Sequence, residues 1–231
     1  MEYLSIKYCI EPENGSKKEF DLRFNAENLD LIFDTPEHLP QWTELGFHQC
    51  SNCTLKNPPH ERCPLAVHLS TIITYVGGIT SYDSVTLTVV TQERTIFQET
   101  TAQRAISSLI GLVSAASGCP HTVYFKPMAR FHLPLANEGE TIYRATSMYL
   151  LAQYFLKQGG MEPDIDLIRL KEIYNNILIV NSSIAGRLRA ASKTDLTVNA
   201  IIILDVYAKA IPSFVEDLLE EIRPLFNPFF S

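Results

Sequence analysis

The sequence predicts an α+β protein, with an antiparallel sheet from two N-terminal hairpins packed on a larger helical C-terminal part. Two observations carry this. Apolar and polar residues alternate with a period of two in four short segments before residue 100, and the period becomes about 3.6 from Thr101 onward. The 231 residues are read as a single domain, 1–231. Residues 1–100 are mainly β and carry a cysteine-rich loop at 48–64, while 101–231 are mainly helical.

Leu4, Ile6, Tyr8 and Ile10 alternate with Ser5, Lys7 and Cys9, and Phe20, Leu22 and Phe24 alternate on the return. Asn14-Gly15 between them is a turn signal. This register puts Cys9 on the face opposite the apolar one, which argues against a ligand role unless that face is covered too. Leu29 to Phe33 is expected to add a third strand. Asp34 to Trp42, with Pro36 and Pro40, reads as an irregular approach to the cysteine loop.

The loop itself, His48 to Pro64, reads HQCSNCTLKNPPHERCP. Cys50 and Cys53 are separated by two residues, a spacing from which two thiolates grip one ion in a tight turn, and Cys63 follows nearby. Soft thiolates select zinc or an iron–sulfur cluster. The fourth ligand is open at this level. Cys119, in Ser117-Gly118-Cys119-Pro120, completes a four-cysteine set from far along the chain, and His60 completes C-x2-C-x6-H-x2-C locally. Three other readings compete. Cysteines are often core atoms, but these sit among Ser51, Asn52, Lys56, Asn57 and two prolines, which is loop composition. Disulfides fit poorly with five cysteines and no signal peptide. A thioredoxin-like redox pair needs a βαβ setting that Cys50 lacks.

Pro64 suits a first helical position, and Leu65, His68, Leu69, Ile72 and Ile73 continue at helical spacing towards Gly77-Gly78. The helix N-terminus beside Cys63 favours thiolate. His68 is expected to be a core or partly exposed histidine, not a ligand. Val85, Leu87 and Val89 with Thr95 to Gln98 form the second hairpin. Ala102, Ile106, Leu109, Ile110 and Val113 then mark a helix stopped at Gly118, placing Cys119 in a short turn just past its end.

Cys119 opens a second unusual stretch, CPHTVYFKPMARFHLP. His121, Arg130 and His132 are candidates for an anion pocket there, with Arg130 as the planar clamp and His132 as a proton carrier. The competing reading is a solvated loop whose cations pair with nearby acids. Asn137 and Glu140 have capping-box spacing at the start of a helix, with Ile142, Ala145, Tyr149, Ala152 and Leu156 on one face. Asp164 to Ala190 and Asp195 to Pro212 are further helices, and Phe214 to Ile222 a short last one. Phe226, Phe229 and Phe230 make an apolar terminus expected to dock on this chain or in an oligomer.

The stretches FHQCSNC…CPLA and SGCP…MARFHLPLA resemble those of uncharacterised bacterial proteins with no assigned activity, over about Trp42 to Phe155. The resemblance implies that both cysteine segments belong to one module, and it supplies no substrate.

Composition narrows the function classes. The chain is 46% hydrophobic and 19% charged, enough for a proper core, with a formal charge of −7. That balance opposes nonspecific nucleic-acid or anionic-membrane binding, and neither partner is expected. No basic leader or bilayer-length apolar run is read in the sequence, so the expected location is cytoplasmic. P-loop, dinucleotide-fold, G-x-S-x-G and H-E-x-x-H signatures are absent. Two readings stand. The first is a regulatory or scaffolding protein whose structural metal clamps the loop to the body, with partners or a second copy held on helical faces or the aromatic terminus. The second is a metal- or thiol-dependent enzyme or redox sensor using His121, Arg130 and His132. Zinc is preferred as cofactor because it needs no assembly machinery. A 4Fe-4S cluster is the alternative, since proline follows both Cys63 and Cys119 as it follows a cluster cysteine in ferredoxins.

Overall fold

The computed structural model describes residues 2–13, 15–76, 78–191 and 195–230. Asn14 of the expected first turn and Gly77 of the expected helix stop lie outside the described residues. The hairpins become β1 (Tyr3–Pro12) with β2 (Lys18–Asn25), and β4 (Ser84–Val90) with β5 (Thr95–Thr101). β3 (Leu31–Ile32) is shorter than expected, two residues instead of five. The strands form one antiparallel sheet in the order β3-β2-β1-β4-β5. Register follows alternation: Tyr8 sits opposite Phe20 and Val89, and Ile10 opposite Leu87, with all five side chains buried on one face. Cys9 pairs with Glu19 and Thr88 on the other face. That face is nonetheless covered at this point, for Cys9 is only 9% exposed.

The described residues also form six α-helices: α1 (Pro64–Tyr75), which lies between β3 and β4 in the chain, then α2 (Ala102–Ala116), α3 (Lys126–Arg130), α4 (Glu138–Gln158), α5 (Ile168–Ala191) and α6 (Leu196–Ile222). The fold is therefore α+β. One apolar cluster joins the inner sheet face to α1, α2 and parts of α5 and α6, and a second lies among α4, α5 and α6.

Four local expectations differ. The stretch after Cys119 is not all loop, because Val123–Phe125 makes a 3-10 turn and α3 follows with proline in its first turn. Pro212 does not end its helix. Ala208, Ile211 and Val215 are all buried in the second cluster, and that packing holds α6 together across the missing N–H. The buried stripe of α4 runs through Gln153, while Ala152 is exposed. The Gln153 side-chain carbonyl accepts from the Asp164 N–H at 2.9 Å, and Tyr149 donates to the Asp164 carboxylate at 2.6 Å, so polar pairing decides this turn. Finally, Phe226, Phe229 and Phe230 are 38%, 82% and 68% exposed on a 3-10 turn and are not buried in this chain. The capping box forms as expected, with Asn137 Oδ1 and the Glu140 carboxylate exchanging backbone N–H bonds.

Within α6, Leu196–Ser213 has the length and composition of a bilayer span, at a mean hydropathy of 1.3. In this fold it is a core helix packed on α2, α4 and α5.

Candidate metal centre

Backbone pairing anchors the end of the cysteine loop. Thr43 to Leu45 runs antiparallel to Glu61 to Cys63: the Leu45 N–H donates to Glu61, the Cys63 N–H donates to Thr43 at 2.8 Å, and Glu44 pairs with Arg62. This fixes Cys63 immediately before α1, with Pro64 at the first helical position. At the other side of the loop the Cys53 N–H donates to the Cys50 carbonyl at 3.0 Å, closing the expected tight turn. Asn52 between them is held twice. Its carbonyl lies 2.7 Å from His121 Nε2, and its side-chain amide donates to the Asn176 carbonyl and side chain on α5.

Gly118 supplies the third piece. Its φ of +83° is left-handed, a conformation that glycine adopts without strain, and it turns the chain out of α2 into Cys119. A Cβ on Gly118 would stand 3.9 Å from Pro64 Cβ, so the two Cys-Pro turns touch. The Cys119 carbonyl accepts from the Thr122 and Val123 N–H groups, which points His121 back at Asn52. Cys119 is buried, and Cys50, Cys53 and Cys63 are half-buried.

The four sulfurs share one electrostatic neighbourhood. Burial pushes the Cys50 thiol up, and the charges of Cys119 and Cys53 push it further, while Ser183 and Arg187 pull it down. Burial likewise raises Cys63, with Cys119 and Cys50 adding to it and the Ala66 N–H and Arg187 opposing it. In this state the neutral thiol is favoured at both, and a bound cation would have to displace protons. By type the four donors suit a thiophilic ion. Among the described residues, however, no set of three or more His, Cys, Asp or Glu side chains has closed to metal-binding geometry.

Arg187 is the residue that sequence reasoning missed. It is 1% exposed, on the buried face of α5. Its Nη1 donates to the Trp42 and Glu44 carbonyls at 2.6 and 2.7 Å, and Nη2 to the Leu45 carbonyl at 2.9 Å. Its Nε has no partner among the described residues, and no carboxylate there pairs with it. The readable signal was a lone cation at helical spacing within the stripe Ile177, Val180, Ile184 and Leu188.

A family model described as "Domain of unknown function (DUF6901)" matches residues 6–227. The chain belongs to the DUF6901 family. No curated protein and no solved structure matches it. The DUF6901 match takes in all of the sheet but the first three residues of β1, both cysteine segments and the helices α1 to α6.

The remaining candidates are dispersed. His60 is exposed, with its N–H on the Lys56 carbonyl. His121 braces the cysteine turn. Arg130 is exposed and faces Glu93 at 3.7 Å, as the solvated-loop reading expects. His132 turns inward, its Nε2 hydrogen-bonded to the hydroxyl of fully buried Tyr8. Arg130 and His132 border one cavity of about 300 Å³ below the β4–β5 turn, and His121 does not reach it.

Burial lowers the His132 pKa to about 3, with the Arg144 charge adding to the effect, and lowers His68 to about 4. Both shifts lie below the unfolded value near 6.5. Neutral imidazole therefore stabilises the fold above that pH, and the contribution is lost as pH falls towards each folded value. By about pH 4, His132 alone should cost roughly 3 kcal/mol, with a smaller loss from the less enclosed His68. Urea unfolding across pH 7 to 4 should show this slope, flattened in His132→Gln.

Proposed function

We propose that Cys50, Cys53, Cys63 and Cys119 hold one metal ion, preferably zinc, which clamps the cysteine loop to α1, α2 and α5 in a cytoplasmic regulatory or scaffolding protein. The observation that carries this reading is Arg187. A guanidinium is charged at any physiological pH, and burying one without an anion costs several kcal/mol. Three carbonyls offset part of that cost, and its charge is felt at Cys50 and Cys63, where thiolates would supply the missing anion. Four thiolates on a divalent cation carry a net negative charge, which a buried cation beside them stabilises. Such a set leaves no position for water, so the role is structural and not hydrolytic. Exposed Leu150, Leu151, Tyr154 and Phe155 on α4, with Phe229 and Phe230 at the terminus, support a protein partner or a second copy of the chain.

The test is metal analysis with a visible spectrum on protein purified anaerobically. One zinc per chain and a featureless spectrum are expected. Iron with sulfide and a visible charge-transfer band would replace zinc by the cluster. Metal-free protein whose Cys50, Cys53 and Cys63 all react freely with a thiol reagent in the native state would end the metal reading.

A further inference from the structure

The helical half holds a second, partly open cavity, of about 200 Å³, bounded by α2, α3, α4, α5 and α6. Its walls are mostly apolar, including Ile177, Ile184, Ile201 and Leu204. Exposed Arg104 on this wall has no hydrogen bond or ion pair among the described residues, and two less exposed polar groups there are also not used up by the protein. Asn181 is 8% exposed, and its side-chain NH₂ is buried with no hydrogen-bond partner among the described residues. Arg144 spends Nη2 on the Met128 and Phe131 carbonyls at 2.9 and 3.0 Å, and no ion pair to it occurs among the described residues. A guanidinium has five N–H donors, so Arg144 keeps donors beyond that pair. Glu140 is near enough for its charge to be felt, yet its carboxylate bonds back to the Asn137 N–H.

An unpaired amide donor inside an apolar wall costs about as much as a lost hydrogen bond, and a partly buried guanidinium without a carboxylate costs more. Both costs vanish if an acceptor enters the cavity, and a negative one serves best. Ser108 and His132 on the same wall are already engaged: Ser108 Oγ bonds to the Tyr8 hydroxyl and accepts from the Leu135 N–H, and His132 bonds to Tyr8. An apolar cavity of roughly 150 Å³ takes up benzene, so this one has room for a slightly larger body.

We propose that this cavity binds a small amphipathic monocarboxylate, with its apolar body among α2, α5 and α6 and its carboxylate accepting from Arg144 and the Asn181 amide. The site is independent of the metal centre, so either can fail without the other. Burial of the body gives affinity, and the two donors give preference for an acid over the alcohol of the same length.

Calorimetric titration of the full chain with hexanoate and with 1-hexanol tests this. Hexanoate should bind at least about tenfold more tightly, the size of one charge-assisted hydrogen bond. From butanoate to hexanoate each methylene should tighten binding about fourfold. Asn181→Leu, which also removes a buried unpaired amide, should cut hexanoate affinity about tenfold without weakening hexanol. Arg144→Gln should abolish the preference for acid over alcohol. A purely structural role for these residues would shift the melting temperature of the variants and leave that preference unchanged, which would overturn the proposal. In the unsubstituted chain, bound hexanoate should show nuclear Overhauser contacts to the Ile201 and Leu204 methyls. Absence of those contacts, equal binding of acid and alcohol, or no saturable binding of either would also overturn it.

Discussion

Substituting Cys53 with serine is expected to abolish stoichiometric metal and to lower the melting temperature by about 10 °C or more, measured by metal analysis and calorimetry on the same sample. Metal held by the native fold and not by the unfolded chain contributes its binding free energy to folding, and a loss of about 4 kcal/mol corresponds to a shift of that size in a chain of this length. The effect should spread beyond the Cys50–Cys53 turn. The turn is tied through Asn52 to His121 and Asn176, and His121 stands two residues from Cys119, so loosening one ligand loosens the contact between the loop and α5. Cys9→Ser is the control. Cys9 lies on β1 opposite Glu19 and Thr88, apart from the other four, and its removal should leave metal content unchanged. Equal metal content in Cys53→Ser and in the unsubstituted chain would sink the assignment.

The sheet was legible because each strand faces one way. Ile6, Tyr8 and Ile10 could only be buried together, and Val85, Leu87 and Val89 could only face them from a neighbouring strand. The capping box at Asn137 and the start of α1 at Pro64 were legible because their chemistry is local. What escaped depends on neighbours distant in sequence. Pro212 reads as a stop until Ala208 and Val215 are seen packed in one cluster. Gln153 reads as solvent-facing until Asp164 arrives to use its carbonyl. The cysteines were picked out by spacing alone, and a glycine turn sets Cys119 near Pro64. By contrast, the anion pocket assumed that closeness in sequence means closeness in space. His121 and His132 are only eleven positions apart, but α3 and the 3-10 turn before it send one to the cysteine loop and the other to Tyr8.

Arg187 is where fold and site depend on each other, and Arg187→Met should strongly lower stability. Methionine keeps much of the apolar stem but strips donors from the buried bonds to the Trp42 and Leu45 carbonyls and the part-buried bond to the Glu44 carbonyl. The three acceptors left unpaired cost about 1–3 kcal/mol each, partly offset by the removal of a buried charge, so a net loss of roughly 3–5 kcal/mol is expected in urea unfolding. Arg187→Lys should recover only part of it, since one ammonium cannot span three carbonyls as the planar fork does. The same three carbonyls belong to the segment that pairs with Glu61 to Cys63, so their release should also misplace Cys63. A double-mutant cycle separates the two roles. If Arg187 is both carbonyl clamp and counter-ion to a metal–thiolate centre, its loss should cost distinctly less in a Cys53→Ser background, where that centre is already gone. Strict additivity would reduce Arg187 to a clamp and remove the main physical support for a thiolate-bound metal beside it.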